Sequence, residues 1–153
     1  MPSRRELVRM SDAEIDAFLH ERHSMSVATF NHDDTIHLVA MWYGFYQGKP
    51  AFETFTKSQK ILNLRRDGRI SVLVEDGDAY EKLRGVEIVG RGEVIDDKSI
   101  LGEVAASVVE RYMGVSGEAA EQAAQMLMQK RSAVVIHPER IVSWDHNKLG
   151  GTY

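Results

Sequence analysis

The sequence has no cysteine among its 153 residues. This absence excludes disulfide bonds, thiolate catalysis and metal sites built on cysteine ligands. No apolar run approaches the roughly 20 residues that a membrane-spanning helix needs, and the polar start MPSRRE is not followed by the apolar segment of a signal peptide. An excess of positive charge is also lacking, because the formal net charge is −4. General affinity for nucleic acid is therefore not expected, and we predict a cytoplasmic protein without a membrane span.

Short apolar segments separated by turn residues make up most of the chain. With 43% hydrophobic and 27% charged residues, one domain over residues 1–153 is expected. Strands that follow one another mostly without crossover helices favour an antiparallel sheet closed into a barrel. We predict an all-β-dominated (α+β) fold with six to seven antiparallel strands and peripheral helices. The predicted strands cover residues 24–30, 36–46, 51–56, 69–75, 86–95, 132–137 and 140–144. The predicted helices cover 11–23 (from a Ser11–Glu14 capping box), a short segment that Thr56 or Ser58 caps and that ends at Arg66, 98–113 and 118–130.

A cluster of cations lies in the middle of this acidic chain, at a strand-to-helix corner. Lys57 and Lys60 fall in the first turn of the short helix, where free N–H groups and the helix dipole favour a negative charge and disfavour lysine. A bound phosphate would explain both lysines better than a solvated helix face does. Arg65 and Arg66 fall in the last turn, where cations are ordinary. We therefore predict an anion site at the start of this helix and surface roles for the two arginines.

The second predicted strand, 36–46, is rich in aromatic residues over 41–46. It is either a wall against which a flat cofactor packs or a central strand of the barrel, and the residues alone favour the central strand. Alternation of side chains places Met41, Tyr43 and Phe45 on one face. At most one face of this strand can therefore line a pocket.

Other patterns carry no site prediction. Gly90 and Gly92 lie inside a strand rather than in a strand-to-helix turn, so they predict a bend, a bulge or a close backbone approach and not dinucleotide binding. His20 and His23 have a spacing that metal ligands use on a helix, but no third ligand accompanies them and a solvent-facing helix end is favoured. We predict no metal site, and the residues identify no catalytic side chain.

Three stretches of the sequence are similar to a known family. DDTIHLVAMWY at residues 33–43 resembles its second strand, with Asp34 and His37 where the pattern prefers Gly and Pro. FETFTKSQKILNLRRD at 52–67 resembles its strand-to-helix corner, and GVEIVGRGE at 85–93 resembles a later strand. On these residues the chain resembles the flavin and deazaflavin oxidoreductases of the pyridoxamine 5′-phosphate oxidase-like split β-barrel class. It is most similar to the branch that uses the deazaflavin coenzyme F420, found in actinobacteria.

Two groups of residues correspond to the cofactor site of that family. In that family the first group holds the phosphate and the ribityl chain of the cofactor, and one further residue supports the strand-to-helix corner. The second group belongs to a strand whose backbone lies along the flavin-type ring. The first group is Thr54, Lys57, Ser58 and Lys60, with Asn63 in support, and the second is Ala40, Met41 and Trp42. Gln59 replaces an arginine of the FMN-using oxidase, which favours coenzyme F420 over FMN.

The resemblance also implies an activity. Such a protein would be a homodimer with the cofactor at the subunit interface, closed by the 76–84 loop of the other subunit and by Trp144. It would be an F420-dependent reductase that passes a hydride to an electron-poor small molecule such as an enone, a quinone or a tetrapyrrole. Tyr43 and Tyr80 are weak nominees for a proton donor. The oligoglutamate tail of the cofactor would meet Arg65, Arg66 and Lys82.

Two alternatives remain open. The chain is either an FMN-binding oxidase or reductase of the same fold, or a non-catalytic carrier of the cofactor or of haem. A haem carrier needs an axial histidine in the pocket, and the sequence does not place His37 there.

Overall fold

The computed structural model describes residues 1–21 and 23–151. This part contains strands β1 (Met25–Phe30), β2 (Ile36–Met41), β3 (Gly44–Tyr46), β4 (Lys49–Phe55), β5 (Arg69–Asp76), β6 (Arg84–Ile95) and β7 (Arg131–Asp145). All seven strands join one curled antiparallel sheet in the order β2-β1-β5-β6-β7-β4-β3. The predicted α+β fold is confirmed. The domain predicted over 1–153 includes residues 22, 152 and 153, which lie outside the described residues.

Five α-helices accompany the sheet in the described ranges. They are α1 (Arg4–Leu7), α2 (Asp12–His20), α3 (Gln59–Arg66), α4 (Lys98–Tyr112) and α5 (Gly117–Met128), with 3-10 turns at Tyr80–Lys82 and His146–Leu149. α2 begins at the predicted capping box: the Ser11 hydroxyl accepts the Glu14 N–H at 3.2 Å, and the Glu14 carboxylate accepts the Ser11 N–H at 2.6 Å. α2 ends at His20, so His23 is not on this helix, contrary to the prediction. No helix in residues 1–21 or 23–151 has the length and apolar character to cross a membrane.

One face of the sheet covers the main core. Along β1, the alternate residues Met25, Val27 and Thr29 are at most 2% exposed, as the two-residue period of a strand requires. In the register of β1 with β2, Thr29 lies opposite His37 and Met25 lies opposite Met41. Directly opposed side chains share a face of the sheet. His37 and Met41 therefore point toward the inside of the curled sheet.

The predicted strand 36–46 is interrupted, because side chains of α4 bind its backbone at Tyr43 and Phe45. The Tyr43 carbonyl accepts a hydrogen bond from Arg111 Nε at 2.8 Å, and the Phe45 N–H donates to Ser107 Oγ at 2.9 Å. Gly44 permits this approach, since a Cβ atom there would lie 2.6 Å from Ser107 Oγ. One predicted strand thus becomes β2 and β3, and side chains of α4 cap the free edge of β3.

The last strand is continuous where two strands were predicted. Its register with β6 shifts between Val89 and Gly90, so that Glu139 is the extra residue of a β-bulge next to Pro138. Proline has no N–H to donate to a ladder, and the bulge accommodates it inside a long strand. A Cβ atom on Gly90 would overlap the carbonyl oxygen of His137. The predicted bulge or close approach at Gly90 is confirmed.

The two ends of the sheet differ in how their edges are treated. β2 and β3 follow each other in sequence but occupy opposite ends of the strand order. β3 is capped by α4, whereas β2 pairs with β1 and with no other strand in the part of the chain that the structure describes. One row of backbone N–H and C=O groups on β2 is therefore left for another partner. We call the region between the inward-facing His37 and Met41 of β2 and the start of α3 at Ser58 and Lys60 the slit.

Candidate functional site

The end of β4 and the first turn of α3 place a buried lysine beside a hydroxyl. Lys60 is only 8% exposed, and its ammonium group donates to Thr54 Oγ1 at 3.1 Å. A buried charge is unfavourable unless it is paired, and a neutral hydroxyl compensates for only part of that penalty. The position of Lys60 therefore favours a bound anion.

An ion pair between Arg131 and Glu53 lies next to this lysine and affects the pKa of Lys60. Arg131 Nη1 donates to Glu53 Oε2 at 2.7 Å, and Glu53 is 7% exposed. Burial lowers the pKa of Lys60 and the charge of Arg131 lowers it further, while Glu53 opposes both. Burial also raises the pKa of Glu53, against the hydrogen bond from Arg131. Two cations face one carboxylate, so the cluster carries an excess positive charge.

The start of α3 has unused hydrogen-bonding capacity. Ser58 is the N-cap residue, yet its hydroxyl makes no capping hydrogen bond, although serine normally accepts an N–H of the first turn at this position. Ser58 Oγ is buried and has no partner within the residues described here. Lys57 lies one residue earlier in an exposed turn, and not in the first turn of the helix as predicted, because α3 begins only at Gln59. A phosphate oxygen bound here would satisfy both the hydroxyl and the free N–H groups.

Asn63 supports the corner from inside. It is fully buried, and its Nδ2 donates to Thr29 Oγ1 at 3.1 Å and to Asn31 Oδ1 at 2.9 Å. Its Oδ1 accepts from Gln59 Nε2 at 2.8 Å. The amide is thus used within the chain to join α3 to β1. This arrangement fits the supporting role that the resemblance implies.

The three predicted residues of the ring-binding strand differ in exposure. Ala40 is exposed, Met41 is half-buried against the main core, and Trp42 is 51% exposed. The Trp42 ring stacks on Tyr112 with 4.9 Å between centroids and an interplanar angle of 3°. The Tyr112 hydroxyl donates to the His23 carbonyl at 2.7 Å. Trp42 is therefore a fixed aromatic surface at the end of β2.

The corner and β2 face the same side of the sheet. His37 lies opposite Thr29, and Thr29 in turn accepts the hydrogen bond from Asn63 on α3. The charge of Lys60 reaches the imidazole of His37 and lowers its pKa, after the larger effect of burial. The structure thus brings β2 and the start of α3 to one slit. That the eight predicted residues bind a cofactor stays a prediction.

The nominated proton donors are not equally placed. Tyr43 is fully buried, its hydroxyl donates to the Leu19 carbonyl at 2.5 Å, and burial raises its pKa. It cannot reach an acceptor in the slit. Tyr80 is 53% exposed and packs against His146 with 4.7 Å between ring centroids.

The cations at the trailing end of α3 have partners in the chain. Arg65 Nη2 lies 2.9 Å from Asp96 Oδ2, and Arg66 Nη2 donates to the Phe30 carbonyl at 2.6 Å. Lys82 lines a shallow pocket of about 350 Å³ with Asp76 and other polar residues. These contacts suit surface and helix-end roles for the two arginines.

Sequence reasoning missed two members of the cluster around Lys60. Glu53 lies between Phe52 and Thr54 in a strand. The sequence pattern of this strand does not indicate whether the Glu53 carboxylate is buried or exposed. Arg131 follows a helix 71 positions after Lys60 in the chain, and only the pairing of β4 with β7 brings it to Glu53. The tertiary structure alone identifies both residues as members of this cluster.

The outer face of β2 and β1 is apolar and exposed. Ile36 and Leu38 are 63% and 69% exposed, and they alternate with the inward-facing His37. Beside them a cleft of about 430 Å³ is lined by Phe30, Ile36 and residues of β5 and β6. Contiguous exposed apolar surface of this kind marks interaction sites.

The order and curvature of the seven strands are those of a split β-barrel protein. The chain belongs to the pyridoxamine 5′-phosphate oxidase family, whose N-terminal sequence profile matches residues 11–145. The resemblance to the pyridoxamine 5′-phosphate oxidase-like split-barrel class is thereby confirmed, and the assignment to the F420-using branch stays a prediction. No curated protein matched this chain.

Solved structures extend this picture. The chain is 41% identical to the conserved hypothetical protein Rv2991 from Mycobacterium tuberculosis, with a TM-score of 0.93, over 99% of this chain and 95% of that one. It is 24% identical to an F420 reductase, with a TM-score of 0.62, over 92% and 98% of the two chains. It is 16% identical to HutZ, a haem storage protein from Vibrio cholerae, with a TM-score of 0.67, over 86% and 94%. The last two similarities show the fold alone.

Proposed function

We propose that this chain is a reductase that depends on coenzyme F420 and works as a homodimer in the cytoplasm. Its substrate would be an electron-poor small molecule such as an enone, a quinone or a tetrapyrrole. The observation that carries the proposal is the buried Lys60 at the start of α3, next to a Ser58 hydroxyl that has no partner in the described chain. Similarity to an F420 reductase supports the choice of cofactor.

The residues present fit such a cofactor. Its phosphate would lie at the start of α3, held by Lys57, Ser58 and Lys60 with Thr54 orienting the ammonium group. The ring would lie along Ala40, Met41 and Trp42, where β2 has unpaired backbone groups. Asn63 would hold α3 in place without touching the ligand.

The chain contributes position and exclusion of water rather than acid–base chemistry. When bound, a deazaflavin supplies the hydride. Tyr43 is unavailable as a proton donor because its hydroxyl is committed to the Leu19 carbonyl. We therefore assign the proton to water. The second subunit would complete the slit by covering the outer face of β2.

The decisive experiment titrates the purified protein with coenzyme F420 and, in parallel, with FMN. Quenching of Trp42 and Trp144 fluorescence reports binding, and oxidation of reduced F420 by enones and quinones reports turnover. Tighter binding of F420 together with turnover supports the proposal. Tighter binding of FMN would contradict the cofactor assignment.

A non-catalytic carrier is the second candidate, and one observation favours it. His37 is half-buried with an Nδ1 atom that has no partner in the part of the chain described, as an unoccupied axial ligand would have. A haem titration followed by absorption spectroscopy separates the two functions. Stoichiometric haem binding that is lost in His37→Ala, without turnover of any acceptor, would favour the carrier.

A further inference from the structure

Three buried polar side-chain atoms have no hydrogen-bond partner within residues 1–21 and 23–151: His37 Nδ1, Ser58 Oγ and Arg131 Nε. Buried polar atoms in native proteins are nearly always paired. Ser58 belongs to the phosphate site proposed above, and Arg131 is already bonded to Glu53 through Nη1. His37 is not among the residues assigned to the phosphate site of the proposed reductase, so in that function its unpaired nitrogen requires a separate explanation.

The position of His37 relates it to the corner. It lies on β2, the strand with an uncapped edge, opposite Thr29 of β1. Thr29 accepts a hydrogen bond from Asn63 at 3.1 Å, and Lys60 precedes Asn63 by one helical turn on α3. The imidazole and the ammonium group thus approach the slit from two different elements.

The electrostatics around His37 are unfavourable for a proton. Burial lowers its pKa, and the charge of Lys60 lowers it further. On the elements that face it, Thr29 of β1 does not titrate near neutral pH, and Lys60 of α3 is the charged group that acts on it. An anion between the two side chains would reverse this balance, since it would offset the charge of Lys60 and offer an oxygen to Nδ1.

We propose that His37 is a phosphate-contact residue that binds the cofactor together with Lys60 and takes up one proton from solvent when it does so. This inference rests on the proposed function, because the phosphate belongs to the cofactor proposed above. Protonated Nδ1 would donate to a phosphate oxygen. The family pattern prefers proline at this position, so the contact would be a property of chains that carry histidine here.

The test measures imidazole titration directly. Proton NMR follows the pKa of His37, assigned by comparison with His37→Asn, in the free protein and with saturating coenzyme F420. We expect the pKa to rise on addition of F420 and to stay unchanged with the phosphate-free deazaflavin chromophore. His32→Asn, in the exposed turn before β2, is the matched control and should leave this titration intact.

Affinity measurements give an independent readout. We divide the dissociation constant of the phosphate-free chromophore by that of F420. Both ligands carry the same ring, so any effect of ring titration on binding cancels in this ratio. In the wild-type protein this ratio should increase as the pH falls from about 8 to about 6. In His37→Asn the ratio should be nearly flat, and F420 should bind about tenfold more weakly at about pH 6.

The outcomes separate this inference from the proposed function. If wild-type protein binds neither F420 nor FMN, the proposed function and this inference both fail. If wild-type protein binds F420 but His37→Asn keeps the same affinity and the same pH dependence, the role of His37 is refuted while the function stands. Equal weakening of F420 and of the phosphate-free chromophore would likewise refute a phosphate contact.

Discussion

The ammonium group of Lys60 lies 3.1 Å from the hydroxyl of Thr54 in a setting where the lysine is 8% exposed. A hydroxyl is a weak counterpart for a buried cation, and the nearby Glu53 is already bonded to Arg131 at 2.7 Å. Residues that lower stability in this way tend to persist where they serve binding or catalysis. Stability and ligand affinity should therefore respond in opposite directions when Lys60 is replaced.

Lys60→Met tests this opposition. Removing the buried charge while keeping the side-chain volume should raise the free energy of unfolding by about 1–3 kcal/mol, measured by urea denaturation. The same variant should weaken F420 binding by about tenfold to a hundredfold, because a charge-assisted contact is lost. Lys57→Met is the control for stability, since Lys57 is exposed. This substitution should change the free energy of unfolding by less than about 0.5 kcal/mol. A large loss of stability in Lys60→Met would show that the charge is structural.

The pH dependence of binding follows from the lowered pKa of Lys60, whose first cause is burial. Phosphate binding needs the protonated ammonium group, so F420 affinity should decline as the pH rises through this lowered pKa, below the ordinary lysine value of about 10.4. The free energy of unfolding should change with pH in the opposite direction to the F420 affinity. The folded protein binds fewer protons than the unfolded chain between the two pKa values, so its unfolding free energy should rise with pH there. Both slopes should be absent in Lys60→Met, and a pH-independent affinity in wild-type protein would argue against Lys60 as a ligand.

The outer face of β2 should control assembly. Leu38→Glu places a charge on an apolar side chain that is 69% exposed, and Met126→Glu on α5 is a control of equal exposure. We expect sedimentation velocity to show a dimer for wild-type protein and for Met126→Glu, and a monomer for Leu38→Glu. F420 binding should weaken with the loss of the dimer, since the second subunit would complete the slit. A Leu38→Glu protein that still sediments as a dimer would place the interface elsewhere.

The bulge at Gly90 should be sensitive to a single methyl group. A Cβ atom there would overlap the backbone of His137, which cannot move without disturbing the pairing of β6 with β7. Gly90→Ala should lower the free energy of unfolding by more than about 2 kcal/mol. Gly68→Ala is the matched control, because its nearest contact would be Arg91 Nη1 at 3.7 Å, an ordinary distance. Equal stability of the two variants would contradict the rigidity of the bulge.

Much of the fold could be predicted because local signals agree with it. The Ser11–Glu14 capping box starts α2 as expected, and the glycine at position 90 marks a bulge that the register confirms. The break between β2 and β3 could not be predicted, because it depends on Arg111 and Ser107, which α4 brings from far along the chain. The continuity of β7 across Pro138 could not be predicted either, because the bulge that accommodates this proline depends on the partner strand β6.

Only the part of the candidate site that depends on local sequence could be predicted. Lys57 and Lys60 stand out because they oppose a helix dipole, which is a local property. The carboxylate of Glu53 and the guanidinium of Arg131 meet only through the pairing of β4 with β7. The unpaired nitrogen of His37 depends on burial beneath neighbouring elements, and burial cannot be derived from a strand pattern alone.

The place of β7 in the sheet has a consequence for how the protein is made. This last strand lies between β6 and β4, so a chain emerging from the ribosome cannot join the two parts of its sheet until residues 131–145 have left the exit tunnel. Until then the free edges of β4 and β6 are open to pairing with other chains. Synthesis of this protein should therefore depend on protection of the nascent chain by chaperones, and C-terminal truncations that remove β7 should accumulate as aggregates rather than as shortened folded domains.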